Sequence, residues 1–225
     1  MKRLPSWPPD LRDFLPEYVA IGMMPVTKSH DPLPAAEQVL VERAVPKRRR
    51  EFATGRVLAR TLLRELGIET EVIGQREDRT PIWPEGVVGS ISHCDDLCVA
   101  AVGRRSHGIR SIGVDVEPAQ PLPRDIWGEV ARRSEWIGNE GDSISPGIAM
   151  RRLFSAKEAF YKCIFPVLER SLEFHDVEVN FATGYERFDA RVVRSVDEGH
   201  SATDLIEGRQ RTFERWILSG VIWQD

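Results

Sequence analysis

A chain of 225 residues, 41% of them hydrophobic, is long enough for one large domain or two half-size lobes around a real core. With 31 Lys+Arg against 35 Asp+Glu the net charge is -4, which disfavours bulk nucleic-acid binding and confines any basic surface to a local patch. Three cysteines without framework spacing argue for a reducing compartment, no run reaches the ~20 apolar residues of a membrane span, and the start MKRLPSWPPD lacks the apolar centre of a signal peptide, so a cytoplasmic protein is expected.

Residues 1 to 34 are rich in proline. The stretch PKRRREFATGRVLARTLLRELG then predicts a helix that opens after Pro46 and closes at Gly67, with Phe52, Ala59, Leu62, Leu63 and Leu66 on one apolar face. Gly55 lies on the edge of that face, where a missing side chain lets another backbone come close, and Arg49, Arg56 and Arg60 line one flank. From Val87 the period changes: VVGSIS, LCVAAV and SIGVDVE read as strands of a three-stranded meander. The segment 118 to 150, with isolated Ile126, Trp127 and Trp136, has no clean periodicity and reads as a mobile excursion with one short helix. A helix from Ser155 to about Phe165, stopped by Pro166, follows, and DVEVNF, RFDARVV and RWILSGVIW complete an antiparallel sheet. Helix followed by strands in both halves predicts an α+β fold of two similar lobes, 1–110 and 111–225, each with antiparallel strands packed on a helix and a cleft between them.

Several residues on this frame can carry chemistry. In GVDVEP the strand period sends Val114 and Val116 to one face and Asp115 and Glu117 to the other, ~7 Å apart, a spacing at which one oxygen-ligated cation fits; taken alone, a D-x-E is more often a half-buried strand with a wet acidic side. In FSAKEAFYKC, Ser155 and Glu158 match a capping box, and Glu158 with Lys162 matches a surface i,i+4 ion pair. Against the surface reading, Phe154, Tyr161 and Phe165 form a second apolar group beside the charged pair, so Glu158 is expected to be partly desolvated and to face Asp115 and Glu117 across a cleft. Ser92 and His93 in GSISHC make a donor pair suited to a diphosphate, or a polar turn. Arg48, Arg49 and Arg56 are placed to hold a phosphate monoester, and Arg76 and Arg79 precede the strands. Cys94 and Cys98 flank a hairpin beside His93 but lack a fourth ligand for zinc.

The order of GSISHC, GVDVEP and FSAKEAFYK, preceded by RRREFATGR and PIWPEGVVGS, resembles the Sfp-type 4'-phosphopantetheinyl transferases, and within them the enterobactin-synthase-component-D branch, over about residues 45 to 180. The resemblance implies a monomer with a pseudo-twofold axis and coenzyme A in the cleft between the lobes. It implies Mg2+, or Mn2+, held by Asp115, Glu117 and Glu158. It also implies attack of a carrier-protein serine on the β-phosphate with release of 3',5'-ADP. Glu158 would serve as base, with a metal-bound hydroxide as the alternative, and Lys162 would steady the diphosphate. Ser92 and His93 would bind the diphosphate and 3'-phosphate, Arg48 and Arg56 would reach the nucleotide phosphates, and Arg79 would be a further coenzyme A contact. Thr80 stands where family members often carry a lysine or arginine. The implied partners are apo acyl, peptidyl or aryl carrier proteins, with Arg132, Arg133, Arg151 and Arg152 as steering charges or simply a solvated basic face. Two other classes remain: a Mg-dependent nuclease or phosphohydrolase, and a non-catalytic module that binds coenzyme A or a carrier.

Overall fold

Two antiparallel sheets, each laid against one long helix, make up the computed structural model, which describes residues 11, 13–26, 33–135, 144–193 and 205–225. The first sheet has the order β1-β5-β4, from β1 (Val19–Pro25), β5 (Leu97–Arg104) and β4 (Val87–Cys94). Helix α2 (Pro46–Glu65) covers it, preceded by the short α1 (Ala35–Leu40). A small hairpin of β2 (Gly74–Gln75) and β3 (Pro81–Ile82) lies between α2 and β4 in sequence. Strand β5 is apolar from Leu97 to Val102 because both its faces are covered: Cys98, Ala100 and Val102 meet Leu58, Ala59, Leu62 and Leu63 of α2, while Val99 and Ala101 enter a middle core.

The second sheet has the order β6-β10-β9-β8-β7, from β6 (Ile109–Pro118), β7 (Val177–Phe181), β8 (Arg187–Val192), β9 (Ile206–Phe213) and β10 (Trp216–Gln224). Strand β6 therefore does not complete a meander. It leaves the β4–β5 hairpin and pairs antiparallel with β10, Asp115 opposite Ser219, a partner about 100 residues away that local pattern does not reveal. Ile112, Val114 and Val116 face the middle core with Val99, Ala101, Trp216 and Leu218, so that core joins the two sheets. The opposite face of β6 carries Gly113, Asp115 and Glu117 toward α4 (Pro146–Leu168). A side chain at Gly113 would collide with the backbone of Ala159 and Cys163, so only glycine lets helix and strand approach this closely.

Helix α4 is longer than its sequence suggests. It starts at Pro146, a residue suited to the first turn, and runs through Pro166, which sits in the last turn, to Leu168, where Glu169 adopts a left-handed conformation with φ 50°. Ser155 is thus an interior residue and caps nothing. Its hydroxyl meets Ser219 Oγ at 2.8 Å, and Gln210 Nε2 donates both to Ser219 Oγ at 2.8 Å and to the Arg152 carbonyl at 2.9 Å. The α4 stripe of Leu153, Ala156, Ala159, Phe160, Cys163 and Ile164 is completely buried. Residues 118–135 are packed rather than open: α3 (Trp127–Val130) and two single 3-10 turns place Leu122, Val130 and Ala131 in the core under α4, whereas Trp136 lies outside the described residues. No helix among the described residues is long and apolar enough to cross a membrane.

Candidate active site

The two lobes meet where β4 passes β6, joined there by side chains. Ser90 Oγ accepts the Val114 N–H at 3.1 Å, and Ser92 Oγ donates to Asp115 Oδ1 at 2.9 Å. Lys162 reaches the same point from α4, donating to Asp115 Oδ1 at 2.6 Å and Ser92 Oγ at 2.9 Å, with Glu158 Oε2 3.8 Å away. Ser92, Asp115, Glu158 and Lys162, from two strands and one helix, therefore form one polar cluster.

The carboxylates surround the Lys162 ammonium rather than one another, and among the described residues no three His, Cys, Asp or Glu side chains converge closely enough to hold an ion. Their electrostatics are nonetheless those of an incompletely neutralised cation site. Asp115 is 3% exposed, and its Oδ2 is buried without a hydrogen-bond partner. Glu117 is pushed up to about 7 by burial and by Asp115, with Arg151 and Lys162 pulling the other way. Burial also raises Glu158, opposed by Lys162 and reinforced by Asp115. Burial works against the charge on Lys162, but Asp115, Glu158 and Glu117 outweigh it and raise its pKa. Oxygen donors in this state, one of them orphaned, fit a hard divalent cation.

His93 follows Ser92 and opens a second, mixed cluster. Arg48 donates to His93 Nε2, and His93 Nδ1 faces Glu51 Oε2 at 3.4 Å, an arrangement that suits the Nδ1–H tautomer. Burial lowers the His93 pKa, Glu51 opposes this, and Arg48, Lys162 and Lys47 add to it. Glu51 is only 6% exposed and was not singled out from the sequence; one acid among the arginines of RRRE was its signal. Arg56 lies deeper than a surface flank. Its NH2 donates to the Gly74 carbonyl at 3.2 Å, its guanidinium stacks 4.5 Å from the Phe52 ring, and its Nε is buried without a partner. Burial lowers its pKa to about 10, with Glu37 opposing and Arg60 and Arg48 adding to the shift. Arg49 is turned away, onto the carbonyls of Glu42 and Ala44.

Beside these clusters a cleft of about 520 Å³ opens between the β2–β3 hairpin and β4 on one wall and Tyr161, Lys162 and Phe165 of α4 on the other. Arg79 lines it from a turn in which its own φ is 71°, held by Asp78 Oδ1, which accepts from Thr80 N–H at 2.8 Å and Thr80 Oγ1 at 2.6 Å. Thr80 thus shapes the turn that carries Arg79. Arg76 reaches across the mouth of the cleft to Glu169 at 3.4 Å.

Not every expected residue joins this centre. Glu117 is turned onto Arg151, whose NH1 donates to its Oε2 at 2.7 Å. Arg152 is engaged with Gln210 Oε1 at 2.9 Å and Thr212 Oγ1 at 2.7 Å, and Arg132 donates to the His175 carbonyl at 2.5 Å, so these arginines are structural rather than free steering charges. The three cysteines are buried free thiols pushed up to about 12, chiefly by burial, and hold no zinc cluster among the described residues.

Comparison with known proteins accounts for this layout. Residues 36–103 match the 4'-phosphopantetheinyl transferase N-terminal domain, and residues 111–197 match the 4'-phosphopantetheinyl transferase superfamily. The chain is 40% identical over 199 residues to the 4'-phosphopantetheinyl transferase Npt of Nocardia iowensis, covering 84% of this chain and 88% of that protein. It is 38% identical over 165 residues to PptT of Mycobacterium tuberculosis, covering 73% of this chain and 72% of that one. To Svp of Streptomyces mobaraensis it is 36% identical over 196 residues, covering 82% and 76%. Two matched halves, a cleft lined from both lobes and a carboxylate–lysine cluster at its edge lead to one conclusion: the chain belongs to the 4'-phosphopantetheinyl transferase family.

Proposed function

We propose that this protein transfers the 4'-phosphopantetheine arm of coenzyme A to a serine of an apo carrier protein in the cytoplasm, acting as a monomer of two lobes, 1–110 and 111–225. The observation that carries the reading is the polar cluster of Ser92, Asp115, Glu158 and Lys162 at the edge of the 520 Å³ interlobe cleft. Asp115, Glu117 and Glu158 would hold Mg2+, or Mn2+, which supplies charge neutralisation for the diphosphate.

The chain's own residues account for the remaining work. Arg79 and Lys162 line the cleft and offer their charges to the diphosphate, while Ser92 and His93 supply donors at its edge, and Arg48 and Arg56 form the positive ground for the nucleotide's phosphates. Glu158, partly desolvated and raised in pKa, is suited to accept the serine proton, and Lys162 stabilises the charge that develops on the leaving 3',5'-ADP. Tyr161 and Phe165 pack on each other with centroids 5.3 Å apart and planes tilted by 35°, and supply aromatic surface to the α4 wall.

Incubation with coenzyme A, Mg2+ and an apo carrier, followed by intact mass spectrometry, tests the proposal. The carrier is expected to gain one phosphopantetheine. Failure on a panel of acyl, peptidyl and aryl carriers would exclude the transfer, and release of nucleotide without a carrier would favour a hydrolase.

A further inference from the structure

Arg151 stands on the same stripe of α4 as Glu158 and Lys162, seven and eleven residues before them, so all three side chains project toward the Asp115–Glu117 face of β6. Two cations thereby clamp two carboxylates: Lys162 takes Asp115 at 2.6 Å and Arg151 takes Glu117 at 2.7 Å. Arg151 is not a free surface charge, since its side chain is 15% exposed and Glu117's 18%. Its Nε also donates to the Gln120 carbonyl at 3.2 Å, so one planar guanidinium spans the carboxylate and the backbone just past the end of β6. A lysine, with a single point of charge, does not make both bonds in a fixed fork.

We infer that Arg151 is a positioning residue for the divalent ion: it pins Glu117 through Oε2, a bond that does not use Oε1, on the same strand face as Asp115 with its orphan Oδ2. This rests on the assignment of Asp115, Glu117 and Glu158 as ion ligands and adds the group that aims one of them. Ligating carboxylates are commonly held by such outer partners, whose loss costs about 10–100-fold in metal affinity. The same geometry assigns Arg151 a role other than steering a carrier, because its charge is already engaged.

The test is Mn2+ binding followed by electron paramagnetic resonance in the presence of coenzyme A, on the full chain and on Arg151→Met and Arg151→Lys. Arg151→Met is expected to weaken Mn2+ about 10–100-fold and to raise the Mg2+ concentration for half-maximal turnover by the same factor, with turnover recovering at saturating Mg2+. Arg151→Lys is expected to fall between the two, and it carries the test if Arg151→Met does not fold. A folded variant that binds Mn2+ as tightly as the unaltered chain, or more tightly, overturns the inference and marks Arg151 as a structural tie or a competing cation. Absence of Mn2+ binding by the unaltered chain overturns the ligand assignment itself, and the inference with it.

Discussion

In the first lobe α2 rests on β4 with Gly55 facing a single methyl of Ile91, 2.9 Å from where a side chain would begin, and its polar flank gathers Arg48, Arg56 and Arg60. In the second, α4 is seated at Gly113 of β6, backbone against backbone, and faces a strand that presents Asp115 and Glu117. The construction is shared and the electrical content is opposite. Burial lowers Arg56 in one lobe, with Arg60 and Arg48 adding to it against Glu37, and burial raises Glu117 in the other, with Asp115 adding to it against Arg151 and Lys162. An anion relieves the first kind of strain and a cation the second, so a metal-bridged diphosphate satisfies both lobes at once.

The largest expected effect comes from the second lobe's interior. Lys157, 1% exposed, donates to Glu135 Oε2 at 2.7 Å and to the carbonyls of Val130, Phe174 and Val177. Lys157→Met strands the buried Glu135 carboxylate and is expected to cost about 3–5 kcal/mol in urea denaturation. A loss of less than about 1 kcal/mol would show that the pair does not organise this lobe.

Asp115→Ala is expected to lower kcat about 10²–10³-fold, while coenzyme A affinity, measured by calorimetry, weakens only partly because the first lobe's cations remain. Equal losses in both would erase the division of labour between the lobes. Third in size, Gly113→Ala is expected to destabilise by about 1–3 kcal/mol, since its neighbours are backbone atoms that cannot step aside. Gly55→Ala should stay within about 1 kcal/mol of the original, because gained helix propensity offsets displacement of one Ile91 methyl. Thermal unfolding of the two variants side by side decides whether the helix seats differ.

The smallest effect concerns Arg76 and Glu169, both more than half exposed, across the mouth of the cleft. Glu169→Gln is expected to change coenzyme A Kd by about twofold or less, and by still less at high salt. A tenfold change would reveal a true latch between the lobes.

Elements governed by short-range pattern were legible in the sequence: the start of α2 at Pro46, its buried stripe and the in–out alternation of Val114, Asp115, Val116 and Glu117. Leu58, fully buried, belongs to the same α2 face and escaped notice. What escaped depends on distant partners. Strand β1 is hidden in a proline-rich stretch and exists because β5 pairs with it from Val19 to Pro25. Strand β9, with IEGRQRTF, is polar enough to pass for a loop and is held between β8 and β10. The first turns of α4 were lost among prolines and glycines, and Pro166 was read as a stop although a last-turn proline leaves the helix intact. At the site, Ser92, Asp115, Glu158 and Lys162 could be named from their motifs. The engagement of Arg151 with Glu117 could not, since nothing local links a helix residue to a strand 34 positions earlier.

The hydroxyl contact between Ser155 and Ser219, braced by Gln210, acts as a peg between a helix and a strand that are otherwise greased by apolar side chains. Oily surfaces tolerate slippage by one turn, ~5.4 Å, or a small roll about the axis. A hydrogen-bonded key admits only one setting. The alignment of Glu158 and Lys162 with their strand is thereby determined from their own stripe of the helix, by buried groups set deeper between helix and sheet.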